Sequence, residues 1–154
     1  MESISFTKVA LPFGWLGNMS PYPIEYNGKT WRTSEALFQA LRFKDEEIQE
    51  AIRAEKSPMG AKMKAKKYKS LMDITPMGRL DIENMRMCVR LKCEQHRGLV
   101  SQLVKTDGLP IYEDVTSRPR GSGLFWGAKK LDDDTWEGEN ILGKIWMEIR
   151  SELI

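Results

Sequence analysis

Asn27-Gly28, set between Ile24-Glu25-Tyr26 and Lys29-Thr30-Trp31, is the feature that most narrows what this chain can fold into. A two-residue type I′ turn needs positive φ at both central positions, and Asn-Gly tolerates it, so the segment predicts a β-hairpin. Immediately beyond it, Thr33 or Ser34 can cap a helix whose apolar residues Leu37, Phe38, Leu41 and Phe43 largely follow helical spacing. Glu35 then falls in the first helical turn, directly behind a rigid hairpin. Spacing alone leaves two readings of it: a carboxylate that complements the positive end of the helix dipole, or one presented for chemistry.

The remaining elements follow from local signals. Ile4 to Val9 alternates weakly and predicts a short strand, ended by Leu11-Pro12-Phe13-Gly14. Asp45 caps a second helix reaching Lys56, with Ile48, Ala51 and Ile52 on one face. Ser57-Pro58 suits an N-cap followed by a first helical residue, and the helix it starts carries Lys62, Lys64, Lys66, Lys67 and Lys69. A run this basic reads as a solvated face or as a phosphate-binding one. Asp81 opens the longest helical pattern, through Ile82, Met85, Val89, Cys93 and His96, with a break expected at Gly98 before Leu99, Leu103 and Val104. Leu109 to Val115 predicts a strand, and Thr116 to Gly127 a loop rich in Gly, Arg and Ser. Asn140 to Leu153 predicts a closing amphipathic helix. The sum is a helix-rich α+β single domain spanning residues 1–154, with a small hairpin or sheet.

Composition bounds the function. A chain of 154 residues buries about two-thirds of its unfolded surface without disulfides or metals. The formal charge of +2 is too small to predict a nucleic-acid partner, although a local patch fits inside a balanced total. Cys88 and Cys93 lie five apart on a predicted helix and point in different directions, which suits buried free thiols better than a bridge or a metal pair. No secretory leader and no membrane-length apolar run are visible, so a cytoplasmic protein and no membrane partner are expected, as a monomer or weak oligomer. His96 is the single histidine, and without a Ser, Cys or metal partner it reads as structural.

Several chemistries are excluded by their motifs. The chain has no Gly-x-x-x-x-Gly-Lys-Ser/Thr loop, no His-Glu-x-x-His, no Cys-x-x-Cys and no Gly-x-Ser-x-Gly elbow. Gly121, Gly123 and Gly127 have the wrong spacing for a dinucleotide fingerprint. Nothing at metal-ligand spacing suggests a Zn or Ca site, and no cofactor is expected. Carboxylates, amides, aromatics and a few cations remain. That set suits cleavage of an N-glycosidic bond, in which a carboxylate stabilises the oxocarbenium-like ribosyl centre or activates water while the base leaves. Glu35 is the candidate for the carboxylate. Arg118 and Arg120 suit bidentate phosphate contact, or else mark a basic loop with no ligand. Trp126, in its Gly-rich loop, is expected to be an exposed ring stacking on a base or flanking the ribose. Asn18 and Asn140 fit ribose hydroxyls, or serve as turn residues or helix caps.

An ordered set of residues runs through the whole chain: Trp15 in an aromatic start with Asn18, then Gly28, Trp31, Thr33, Glu35, Phe38, Gln39 and Phe43. It continues through Pro58 with Ala61-Lys62, Lys92 with Gln95, Glu113, Trp126-Gly127, and Gly138-x-Asn140-x-Leu142-Gly143 leading to Met147 and Arg150. In order and spacing this set resembles the NADAR family, also called YbiA-like and associated with NAD and ADP-ribose. The resemblance implies N-glycosidic cleavage of an ADP-ribose-like or ribosyl-base substrate. In some members this is a ribosylamine of the riboflavin pathway, and in others it is ADP-ribose on guanine bases of DNA, which would make ADP-ribosylated DNA a partner. It also implies substrate contacts at the matched positions Trp15, Asn18, Lys62, Glu113, Trp126, Gly127 and Asn140. One departure stands out: many members carry an Asp three residues before the Trp of Trp-Gly, and here that position is Gly123. This weakens a two-carboxylate mechanism, leaves Glu113 or Asp114 as substitutes, and keeps open a non-catalytic NAD or ADP-ribose binding module. A purely structural or interaction protein of the same fold is the third reading.

Overall fold

The computed structural model describes residues 2–154. In chain order its strands are β1 (Ile4–Phe6), β2 (Ile24–Tyr26), β3 (Lys29–Trp31), β4 (Ile111–Glu113), β5 (Lys129–Lys130) and β6 (Trp136–Glu137). Its α-helices are α1 (Ser34–Ala40), α2 (Glu46–Ala54), α3 (Pro58–Lys67), α4 (Arg79–Gln95), α5 (Arg97–Val104), α6 (Gly123–Trp126) and α7 (Ile141–Glu152). This is the expected helix-rich α+β class. The chain divides into two compact units, Asn18–His96 and residues 2–17 with Arg97–Ile154.

In the Asn18–His96 unit, β2 and β3 pair antiparallel around Asn27 (φ 50°) and Gly28 (φ 76°), as the Asn-Gly signal requires. Thr33 caps α1 by accepting from the amide of Ala36 at 3.1 Å, and Asp45 and Ser57 cap α2 and α3 in the same way. α1 packs against α2, α3 and α4, and every residue of it except Glu35 is buried. Ala61 and Ala65 are fully buried on the inner side of α3, where their small side chains let α3 lie close against its neighbours. Ile24, Leu37, Phe38, Phe43, Ile52 and Val89 fill the core.

Two boundaries differ from expectation here. α4 starts at Arg79 rather than Asp81, because Asp81 is drawn inward as the fully buried partner of Arg42. The break before α5 falls at His96 rather than Gly98, which lies inside α5. The imidazole Nε2 of His96 sits 2.7 Å from the Pro23 carbonyl, and the ring meets Tyr22 edge-on, so a long-range contact sets the end of α4 and the histidine is structural. Cys88 and Cys93 are buried free thiols.

In the other unit β1 and β4 pair in parallel, Ile4 opposite Ile111 and Phe6 opposite Glu113, with α7 packed on β4. Trp146 of α7 is fully buried and donates its indole N–H to the Leu16 carbonyl at 3.0 Å. Arg150 is also buried, its guanidinium reaching the carbonyls of Thr106 and Leu109, both at 2.9 Å. The observed strands are shorter than the Ile4 to Val9 and Leu109 to Val115 expectations. The expected Thr116 to Gly127 loop winds into the helical turn α6 before it reaches Gly127. Among the described residues no helix is long and apolar enough to cross a membrane.

Candidate active site

Glu35 is set in place by the first turn of α1. Its backbone N–H, one of the amides a helix start leaves without an internal partner, donates to the Asn18 carbonyl at 3.0 Å. The Ser34 hydroxyl donates to the Asn18 side-chain oxygen at 3.0 Å, and the Asn18 amide nitrogen contacts Met85 Sδ at 3.1 Å. With Thr33 capping the same turn, the backbone beneath Glu35 is held from both sides. Asn18 is thus buried under the helix start, and its amide orients that turn.

The carboxyl itself is held at one end. Gln39, one turn further along α1, donates its side-chain amide to Glu35 Oε2 at 2.6 Å. Arg42 donates a longer bond of 3.4 Å to the Gln39 side-chain oxygen and clamps Asp81 bidentately, Nε to Oδ1 at 2.9 Å and Nη2 to Oδ2 at 2.7 Å. Asp81 also accepts from the Met77 amide at 2.8 Å, and the guanidinium lies 4.7 Å from the centre of the Phe38 ring. Each member of this row fixes the next. Glu35 Oε1, by contrast, makes no hydrogen bond within the protein among the described residues.

Burial raises the Glu35 carboxyl above the ordinary carboxylate range; the Gln39 hydrogen bond, Lys62 and Arg42 pull it back in that order, and Asp81 adds a smaller upward push. A carboxyl lifted toward neutral pH, with one oxygen held and the other open, is equipped to take a proton and return it. Lys62 is exposed on α3, and its ammonium is the lysine charge that acts on that carboxyl. Of the residues singled out from sequence, then, Asn18, Glu35 and Lys62 come together in the Asn18–His96 unit. Arg42 and Asp81 were not anticipated. Arg42 lies three residues after Gln39 and seven after Glu35, on the same helical face, and that spacing was the available signal.

The other candidates belong to the second unit. Asn140 is the N-cap residue of α7 in the left-handed region, and β4 holds both ends of its amide: it accepts from the Glu113 N–H at 3.0 Å and donates to the Ile111 carbonyl at 2.8 Å. Its own N–H donates to the Gly127 carbonyl at 3.0 Å, so Glu113, Gly127 and Asn140 meet around the end of β4. A Cβ on Gly127 would stand 2.5 Å from the Glu113 carbonyl oxygen, which requires glycine there. Trp126 is a correction: only 8% exposed, it ends α6 with its ring edge-on to Phe125 at 4.9 Å, because the helical turn rolls the indole inward. Trp15 lies edge-on to Trp146 at 6.3 Å and lines a cavity of about 480 Å³ with Phe13, Gln102 and Lys105.

Arg118 and Arg120 are exposed, and neither guanidinium has a hydrogen-bond or ion-pair partner among the described residues. At Gly123 a Cβ would lie 2.5 Å from the Arg118 carbonyl oxygen. The loop is therefore shaped around the glycine, and an aspartate does not fit this backbone. Asp114 accepts from the Thr116 N–H at 2.9 Å in a local turn. Among the described residues no group of three or more His, Cys, Asp or Glu side chains is placed to hold a metal ion.

Comparison with known proteins agrees with this architecture. The family model described as the NADAR domain matches residues 5–154. N-glycosidase YbiA of Escherichia coli (strain K12) is 34% identical over 151 residues, covering 97% of this chain and 88% of that protein. The NMR structure of the E. coli protein YbiA superposes with a TM-score of 0.74 at 31% identity, over 99% of this chain and 86% of that one. Riboflavin biosynthesis protein VVA0006 of Vibrio vulnificus is 32% identical over 146 residues, which span 91% of this chain and 35% of that longer protein.

Proposed function

This chain belongs to the NADAR domain family, and from that premise we propose that it is an N-glycosidase acting on a ribosyl-base bond, with Glu35 as its catalytic carboxyl. The observation that carries the reading is the state of that side chain: partly buried, raised in pKa, held at Oε2 by Gln39 and open at Oε1. In the reaction, water forms a bond to the ribose anomeric carbon as the carbon–nitrogen bond breaks. The bonding pair leaves with the base. The negative charge of Glu35 stabilises the cationic ribosyl centre as it forms, Oε1 then takes a proton from the attacking water, and Glu35 passes that proton to the departing base, so the carboxylate is restored. A pKa lifted by burial suits this exchange, because the carboxylate then takes the water proton more readily than an exposed carboxylate does.

The substrate proposed first is ADP-ribose linked to a guanine base of DNA; in the other unit, taken by itself, the exposed guanidiniums of Arg118 and Arg120 are fork-shaped donors of the kind that suits phosphate oxygens. Similarity to a protein named for riboflavin biosynthesis supports the second substrate, a ribosylamine intermediate of that pathway. A non-catalytic binding module is favoured by Gly123, whose loop excludes a second carboxylate at that position. One experiment separates the three: incubation with ADP-ribosylated oligonucleotide, with the ribosylamine and with free ADP-ribose, followed by mass detection of released base. Release from the first or second identifies the substrate class. Binding of ADP-ribose without release from either makes the protein a binding module.

A further inference from the structure

Residues 57–72 contain five lysines and no acidic residue, although the whole chain carries a formal charge of only +2. The fold keeps this charge on the outside. Ala61 and Ala65 are fully buried, which fixes the roll of α3 and turns Lys62, Lys66 and Lys67 outward; Lys69, just past the helix, is exposed as well. Only Lys64 is neutralised, by Glu55 at 3.5 Å. No carboxylate lies within ion-pair distance of Lys62, Lys66, Lys67 or Lys69 among the described residues. The neighbouring helix α2 behaves oppositely, its Glu50 being paired with both Lys29 and Arg53. Cations in the last turn of a helix complement its dipole, but Lys62 lies before that turn and Lys69 beyond it.

We propose that the exposed face of α3 is a docking surface for a nucleic-acid strand, whose phosphates lie along Lys66, Lys67 and Lys69 while one ribosyl-base unit reaches Glu35 beside Lys62. The second half of this proposal rests on the N-glycosidase reading; the first half does not. Lys62 to Lys69 spans about 10 Å at the helical rise, and a strand of nucleic acid presents a phosphate about every 3.4 Å along its axis, so about three phosphates fall within the row. A membrane fits less well. The exposed Met59 and Met63 are interleaved with the lysines on one stripe, whereas a helix lying on lipid separates an apolar face from a cationic one. Methionine beside lysine instead offers soft contact to sugars and bases between phosphates.

The test is fluorescence anisotropy with a labelled, unmodified oligonucleotide of about 20 nucleotides, titrated with the intact protein from about 50 to 200 mM salt. The variant is Lys66→Gln with Lys67→Gln and Lys69→Gln, substitutions that keep helix propensity, and the matching triple Lys→Arg variant serves as its rescue. Expected is salt-sensitive binding by the wild type, weaker by about tenfold or more in the Gln variant, with a log–log salt slope shallower by about 2 to 3, and restored in the Arg variant. Hydrolysis of a ribosyl-base mononucleoside stays at the wild-type rate. Equal binding by wild type and Gln variant, or no wild-type binding at low salt, overturns the proposal. So does tighter binding to anionic lipid vesicles that is lost in the same variant. Failure of the enzymatic reading looks different: the oligonucleotide is bound, but no base is released from any substrate.

Discussion

Gln39 donates its side-chain amide to Glu35 Oε2 at 2.6 Å across one turn of α1, and so leaves Oε1 as the open oxygen of the carboxyl. The bond favours the ionised form and works against the upward push of burial. Gln39→Ala removes it, so the Glu35 pKa rises further. Where activity needs the carboxylate, the acidic limb of the rate profile moves to higher pH. A profile of kcat/KM between about pH 4 and 8 shows the displacement, and an unmoved limb separates Gln39 from the titration.

Asp81 and Arg42 form a bidentate pair whose acidic partner is completely shielded from water. Removing one member strands the other. Asp81→Ala is therefore expected to cost about 3 to 5 kcal/mol of stability, read as a lower urea midpoint at unchanged m-value. A cost below about 1 kcal/mol means that water or a rearranged neighbour rescues Arg42.

Lys92 is fully buried, donates to the Ser20 hydroxyl at 2.8 Å and lies 5.1 Å from the centre of the Tyr22 ring; burial holds its ammonium down to about 7. The unfolded chain binds this proton up to the ordinary lysine range while the folded chain has already released it. Stability therefore rises with pH from about 7 toward 10, by at most about 1.4 kcal/mol per pH unit from this group, and the burial penalty is fully present below 7. Lys92→Met removes that rise. Urea unfolding of both proteins at about pH 7, 8 and 9 gives the difference, and parallel slopes contradict the assignment.

Metal independence is expected from the donors available around Glu35, which are an amide, a guanidinium one step removed and an exposed ammonium. Base release is predicted to continue at an unchanged rate in excess EDTA. Loss of activity in chelator, with recovery on adding one divalent ion, contradicts this description of the site.

Much of the scaffold under Glu35 was legible because its signals are local. Asn27-Gly28 made the turn, Thr33, Asp45 and Ser57 capped three successive helices, and the position of Glu35 followed from counting. The misreadings have a common origin in contacts distant along the chain. Asp81 resembled a helix opener until Arg42, 39 residues earlier, claimed it. His96 ended α4 because Pro23 lay within reach, which no property of Gly98 reveals. Trp126 read as exposed because a Gly-rich segment resembles a loop, whereas four residues coil into a helical turn and bury the ring.

The central assignment is tested most directly by Glu35→Gln, assayed by mass detection of released base on a substrate that the wild type cleaves. Glutamine keeps the shape and an oxygen for Gln39 to donate to, while the charge is lost. The rate is expected to fall on the order of 100-fold or more. The melting temperature at neutral pH should stay level or rise, since a carboxyl with a raised folded pKa opposes folding once the pH exceeds the ordinary carboxylate value of the unfolded chain, and Gln removes the penalty. A variant that folds and cleaves at the wild-type rate would make Glu35 a helix-start residue and contradict the mechanism.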